Sequence, residues 1–196
     1  MEPNDVADPL AARLIEEALQ NSQVQQLCAR MPDLPGLVGH FYANSAPDDL
    51  VGRDPIDLVG AVVSLRELAR HREPNTPLVR IFTPSVANAG WDCKHTVVQL
   101  VGDDMPFIVD SVSAALNGAG RILNLVIHPI VETEDGAQSW VHIEIDRESQ
   151  LDVITWLEGV IRSVLADVRA AVDDWPMMRD RAALIGEQLL NRAPSG

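Results

Sequence analysis

From Thr96 onward the chain reads as a strand, a helix, two strands and a second helix, and this order constrains the fold more than any other feature. Thr96 to Val101 is rich in β-branched and apolar residues. A helix opened by Asp103-Asp104-Met105-Pro106 would bury Ile108, Val109, Val112, Ala115 and Leu116 and stop at Asn117-Gly118. Ile122 to Ile130 and Trp140 to Ile145 are the next two strands, with Glu134-Asp135-Gly136 as the hairpin turn between them. A long helix from about Ser149 to Trp175 carries Leu151, Ile154, Leu157, Ile161, Val164, Leu165, Val168 and Val172 on one stripe. Pro176 is expected to end it, with Met177 to Arg192 as a separate helix. This order is the core of a ferredoxin-like split βαβ without its final strand. Leu78 to Phe82, alternating around Arg80, is the candidate to pair antiparallel beside Thr96–Val101 in the vacant place.

The first 72 residues read differently. Asp8-Pro9 is an N-cap followed by proline at the first helical position, and apolar residues recur at helical spacing to about Arg30, with a break near Asn21-Ser22. Leu37, Val38, Phe41 and Tyr42 predict a short helix, and Asp54-Pro55 opens another that runs to about His71 on Leu58, Val62, Leu65 and Leu68. Glu73-Pro74-Asn75-Thr76-Pro77 is a linker. The expected organisation is a helical segment over 1–72, an α+β domain over 78–175 including the long helix, and a helical tail over 176–196. At ~1.5 Å per residue the long helix spans on the order of 40 Å. That exceeds what a four-stranded antiparallel sheet with helices on one face requires, so its C-terminal half should project towards something else.

Strand alternation sorts the sheet residues into two faces. Val98, Leu100, Leu123, Leu125, Ile127, Val141, Ile143 and Ile145 are expected to meet the helices. The opposite face then carries Arg80, Gln99, Asn124, His128, Trp140, His142 and Glu144, a mixed polar and aromatic surface that is a candidate interface with another domain or subunit.

Composition excludes several functions. With 29 acidic against 15 basic residues and a net charge of −14, the chain repels nucleic acid and anionic lipid. Its longest apolar runs fall far short of the ~20 residues that cross a bilayer. Cys28 and Cys93 form no Cys-x-x-Cys pair, and no signal-peptide pattern opens the chain, so the expected compartment is the cytoplasm. Lys94 is the only lysine among those basic residues, which rules out chemistry needing several.

No motif points to catalysis. His95, His128 and His142 lack the spacing of a standard zinc site, so structural roles are expected and no metal. Asp103 and Asp104 read as caps at a strand-to-helix turn rather than as a catalytic dyad, although free N–H groups there could hold a ligand's carboxylate. Gly118-Ala119-Gly120 leads from helix to strand, the wrong direction for a dinucleotide loop. Ser111 and Ser113 have no partner histidine nearby in sequence.

The run from His95 to Val112, centred on Asp103-Asp104-Met105-Pro106-Phe107, resembles the N-terminal region of the large bacterial NAD-specific glutamate dehydrogenases. Val79 to Pro84, Gly90-Trp91, Ile127-His128-Pro129, Phe41-Tyr42 and Asp48-Asp49-Leu50 extend the similarity over most of the chain. The resemblance implies ACT-like modules ahead of a distant catalytic domain that deaminates L-glutamate oxidatively with NAD. It implies no cofactor and no catalytic residue in this segment, and NAD in the parent enzyme. It also implies a homo-oligomer, contacts with other domains of the same polypeptide, and an amino-acid effector at the turn Gly102, Asp103, Asp104, Met105, Pro106 and Phe107. Many ligand-binding ACT loops have glycine after the proline, where this chain has Phe107. A regulatory or assembly segment is the leading expectation. A stand-alone amino-acid sensor and a purely structural oligomerisation domain are the rivals, and an independent small enzyme ranks last.

Overall fold

The computed structural model describes residues 8–134 and 136–192. Helices α1 (Pro9–Leu19), α2 (Ser22–Arg30), α3 (Leu34–Phe41), α4 (Pro47–Leu50) and α5 (Pro55–Arg70) come first. Asp8 caps α1 through the backbone N–H of Leu10 at 2.8 Å, and Asn21 caps α2, which accounts for the break there. Strand β1 (Leu78–Phe82), the short helix α6 (Val86–Ala89), β2 (Thr96–Asp103), α7 (Ile108–Gly118), β3 (Leu123–Ile127), β4 (Ile130–Thr133), β5 (Gly136–Ile145) and α8 (Leu151–Arg192) follow.

The sheet is antiparallel in the order β1-β2-β5-β3, with β4 paired to β5 as well. β1 does occupy the place of the missing ferredoxin-like strand, with Arg80 opposite Gln99. The α+β, ferredoxin-like class therefore stands, but with five strands instead of four. Pro129 cannot donate to a ladder, and the expected strand Ile122 to Ile130 is split at His128-Pro129 into β3 and β4. Residue 135 of the expected hairpin turn lies outside the described residues; Thr133 pairs with Gly136 on either side of it.

Helices cover both faces of the sheet, not one. Val79, Ile81, Val98, Leu100, Val141, Ile143 and Ile145 pack against Ile108, Val112 and Leu116 of α7 and Leu157, Ile161 and Leu165 of α8. On the other face, Val101, Leu125, Ile127 and Trp140 join the apolar residues of α1 to α5 in a second core. Leu125 and Ile127 thus face the opposite way from expectation. A register shift between Leu123 and Leu125 sets Leu125 opposite Glu144 and Ile127 opposite His142, and one extra residue in a strand reverses every side chain beyond it.

Three helix ends also differ from expectation. The helix α7 ends through Gly120 at φ 76°, with Arg121 N–H donating to Leu116 O and Gly120 N–H to Asn117 O, so Gly120 and not Gly118 is the terminating glycine. Its start is delayed to Ile108. Helix α8 continues through Pro176 to Arg192, because Trp175, Pro176 and Met177 are all exposed and the distortion proline imposes costs no packing there. Beyond Val172 every residue to Gln188 is exposed, so the helix does project beyond the sheet.

Gly60 fixes how closely α5 approaches the loop before β2. A Cβ there would lie 2.5 Å from Cβ of buried Trp91. Gly60→Ala is therefore expected to lower stability by roughly 1–3 kcal/mol through overpacking. Gly159→Ala, on α8 with open space around it, should raise stability by about 0.5–1 kcal/mol. Urea denaturation of both variants checks the pair of signs.

Candidate effector site

The turn Gly102–Phe107 lies where β2 delivers its last residue to the mouth of a cleft. Asp103 accepts from Arg72, just past the end of α5, and from Arg169 on α8. One carboxylate therefore joins the helical layer, the sheet and the long helix. Partial burial alone would raise its pKa, but the two guanidinium groups outweigh that and hold it below the usual carboxylate range. Neither acid caps α7. Asp104 accepts from Ser139 Oγ at 2.6 Å, and the N-cap position falls to Phe107, which offers no side-chain cap.

Phe107 adopts φ 69°, the left-handed region that glycine prefers. The loop thus keeps a glycine-like backbone with a phenylalanine, at a cost on the order of 1–3 kcal/mol. Its ring is 67 % exposed, so packing of the ring does not repay that strain.

Two hollows flank the turn. The inner one, about 230 Å³, has a floor of Leu100, Met105, Ile108 and Leu165 and a rim bearing Asp103, Arg162 and Arg169. Opposite charges beside an apolar floor suit a zwitterion with a small apolar body. The outer one lies between Phe107, Asp110 and His128. Burial lowers the pKa of His128, with Asp104 acting in the opposite sense, and its Nε2 has no hydrogen-bond partner among the described residues.

The polar sheet face is not open to a partner. The helical layer formed by this chain covers Gln99, Trp140, His142 and Glu144, all buried. Arg80 donates to Gln99 Oε1 and Ser64 O, while Gln99 Nε2 donates to Ser64 Oγ at 2.7 Å and lies 3.4 Å from His142 Nδ1. Arg53 grips Glu144 with both terminal nitrogens, at 2.5 and 3.0 Å. Asn124 and His128 do not belong to this group: Asn124 is exposed at the register shift, and His128 sits in the break between β3 and β4. Among the described residues no three His, Cys, Asp or Glu side chains converge as metal ligands, and no helix is long and apolar enough to cross a membrane. Burial pushes the Cys93 thiol up to about 11, away from nucleophilic reactivity.

Arg53, Arg72, Arg162 and Arg169 went unnoticed in the sequence. The available signal was the use of arginine almost to the exclusion of lysine, because buried carboxylates and amides call for a planar, multiply donating cation.

Residues 37–160 match the family model described as glutamate dehydrogenase, ACT1 domain. The chain belongs to the glutamate dehydrogenase ACT1 family. An NAD-specific glutamate dehydrogenase of Halomonas elongata is 30 % identical over 79 % of the chain, and one of Pseudomonas aeruginosa is 27 % identical over 85 %. The matched ACT1 chain spans only 11 % and 12 % of those relatives. The ACT1 match runs from α3 into α8 and so includes both the Asp103 turn and the buried Arg53–Glu144 pair.

Burial would raise the pKa of Glu144, but the His142 ring 3.7 Å away and the doubly bonded Arg53 guanidinium prevail and depress it to about 2. A carboxylate depressed on folding contributes stability above its unfolded pKa and loses it as pH falls through the folded one. Stability should therefore decline from about pH 5 towards pH 2. Glu144→Gln is expected to cost about 3 kcal/mol at pH 7 by leaving Arg53 unpaired, and to flatten the acid decline. Denaturant titrations at several pH values would read both effects.

Proposed function

We propose that this chain is a non-catalytic regulatory and assembly segment of a much longer NAD-specific glutamate dehydrogenase. The parent polypeptide would convert L-glutamate to 2-oxoglutarate with NAD in the cytoplasm, and NAD would belong to its other domains. The observation that carries this reading is the Asp103 junction. A single carboxylate at the mouth of a cleft of amino-acid size links the helical layer, through Arg72, to the projecting helix α8, through Arg169. The family match and the small share of each relative that the chain spans support the parent's identity.

In this reading an amino-acid effector sits beside Gly102–Phe107. Its ammonium group meets Asp103, its carboxylate meets Arg162 and Arg169, and its side chain lies over Leu100, Ile108 and Leu165. Such a ligand competes for Arg169 and alters how α8 is held. The same cleft favours a second reading, a stand-alone amino-acid sensor, which differs only in lacking a catalytic partner.

Thermal unfolding of the chain with each proteinogenic amino acid, 2-oxoglutarate and NAD at millimolar concentration tests the effector site. A bound effector at a hundred times its Kd should stabilise the fold by about 2.7 kcal/mol. Arg162→Gln should remove that shift. No shift with any amino acid sinks the effector site and leaves assembly as the function.

A further inference from the structure

We propose that the exposed end of α8 is a self-association surface on which a second copy of this chain lays the same helix in parallel. Trp175, Met178 and Ile185 are 61 %, 59 % and 50 % exposed. Together with Ala182 they form one row with the 3-4-3 spacing of the two inward positions of a coiled coil. At 3.6 residues per turn, this row is rotated by roughly a fifth of a turn from the sheet-facing row of Leu157, Ile161, Leu165 and Val168. A helix lying along the exposed row therefore need not displace the sheet. Pro176 falls on the far side of the helix, where its missing N–H and bulky ring do not obstruct a close approach.

Charge on the flanks selects both partner and direction. Asp174 borders one side of the row and Arg179 the other, five residues further on. That is the offset at which flanking residues of two parallel helices meet, so each Asp174 faces the partner's Arg179, once on either side of the seam. Among the described residues Arg179 pairs only with its exposed neighbour Asp180, an interaction weak enough to be exchanged. The same surface thus recognises itself, as a two-fold contact requires.

This inference gives the assembly half of the proposed function its partner, but its failure is separable. Pairing through α8 is read from molecular mass, whereas the effector reading is tested by ligand-induced stabilisation. Sedimentation velocity of the 196-residue chain over a wide concentration range should show a reversible monomer–dimer equilibrium. Ile185→Glu should abolish the dimer while leaving unchanged the melting temperature measured at concentrations where the parent chain is monomeric, because the residue is half exposed in the single chain. Asp174→Arg should weaken association about tenfold, and adding Arg179→Asp should restore it. A chain that stays monomeric at every concentration overturns the proposal and leaves further polypeptide of a longer enzyme as the occupant of the row. A dimer indifferent to Ile185→Glu, or a charge-swapped double variant no better than Asp174→Arg, overturns it equally.

Discussion

Gln99, His142 and Glu144 lie between a sheet and a layer of helices, out of reach of water, and much of the molecule is arranged around satisfying them. A buried carboxylate without partners costs more than a domain of this size can spare. Arg53 supplies the charge, and it is aimed by its own Nε donating to Asp49 O at the short helix α4. Ser64 and the carbonyl of Ala61, both on α5, receive the Gln99 amide. The helices α4 and α5 are therefore held in register with the central strands by directional bonds, and the apolar contacts of α1 to α3 build outward from that fixed position. Apolar packing alone would tolerate sliding of the layer; this network does not.

How much of this was legible in sequence depends on the range of the signal. The β-α-β-β-α order and the place of Leu78–Phe82 could be read because period-two and helical patterns are local. The register shift near Asn124 could not, since nothing in Leu123-Asn124-Leu125 distinguishes a strand that slips by one residue from one that does not. The same limitation left the polar face without its cover. Alternation correctly put Arg80, Gln99, His142 and Glu144 on one face, but their partners, Arg53 in the loop between α4 and α5 and Ser64 on α5, come from the part of the chain read as a separate helical segment. Those helices carry Val24, Leu34, Val38, Val62 and Leu65, all fully buried in one core with Val101 and Trp140 of the sheet.

The turn Gly102–Phe107 shows the same division. Its place between strand and helix followed from the local pattern, whereas the roles of its acids did not. Capping is a local inference, and the competing ion pairs of Asp103 come from residues 31 and 66 positions away. With both acids engaged elsewhere, the start of α7 is left without a side-chain cap, and Phe107 holds the backbone turn that glycine would accept at no steric cost. Uncapped N–H groups and a strained exposed aromatic residue both leave free energy to be gained by a ligand or a neighbouring surface. They occur together at the one loop that also borders both hollows.

Regulation through such a site requires an element that both ligand and partner bias. Helix α8 has the necessary layout. Its first half is fixed by Leu157, Ile161 and Leu165 in the core, Arg169 contacts Asp103 in the Gly102–Phe107 turn, and residues 173–188 are exposed. The edge of β1 is tied to the same helix, with Ile81 N–H donating to Glu158 and Arg162 donating to Val79 O. Those two bonds seal an otherwise unpaired strand edge, and they lie about three and two turns before Arg169. A ligand that draws Arg162 and Arg169 towards its carboxylate therefore acts on the sealed edge and on the base of the projecting helix at once. The coupling needs no long pathway, because the two arginines sit on one face of one rigid helix, between the cleft and the surface that extends beyond the domain.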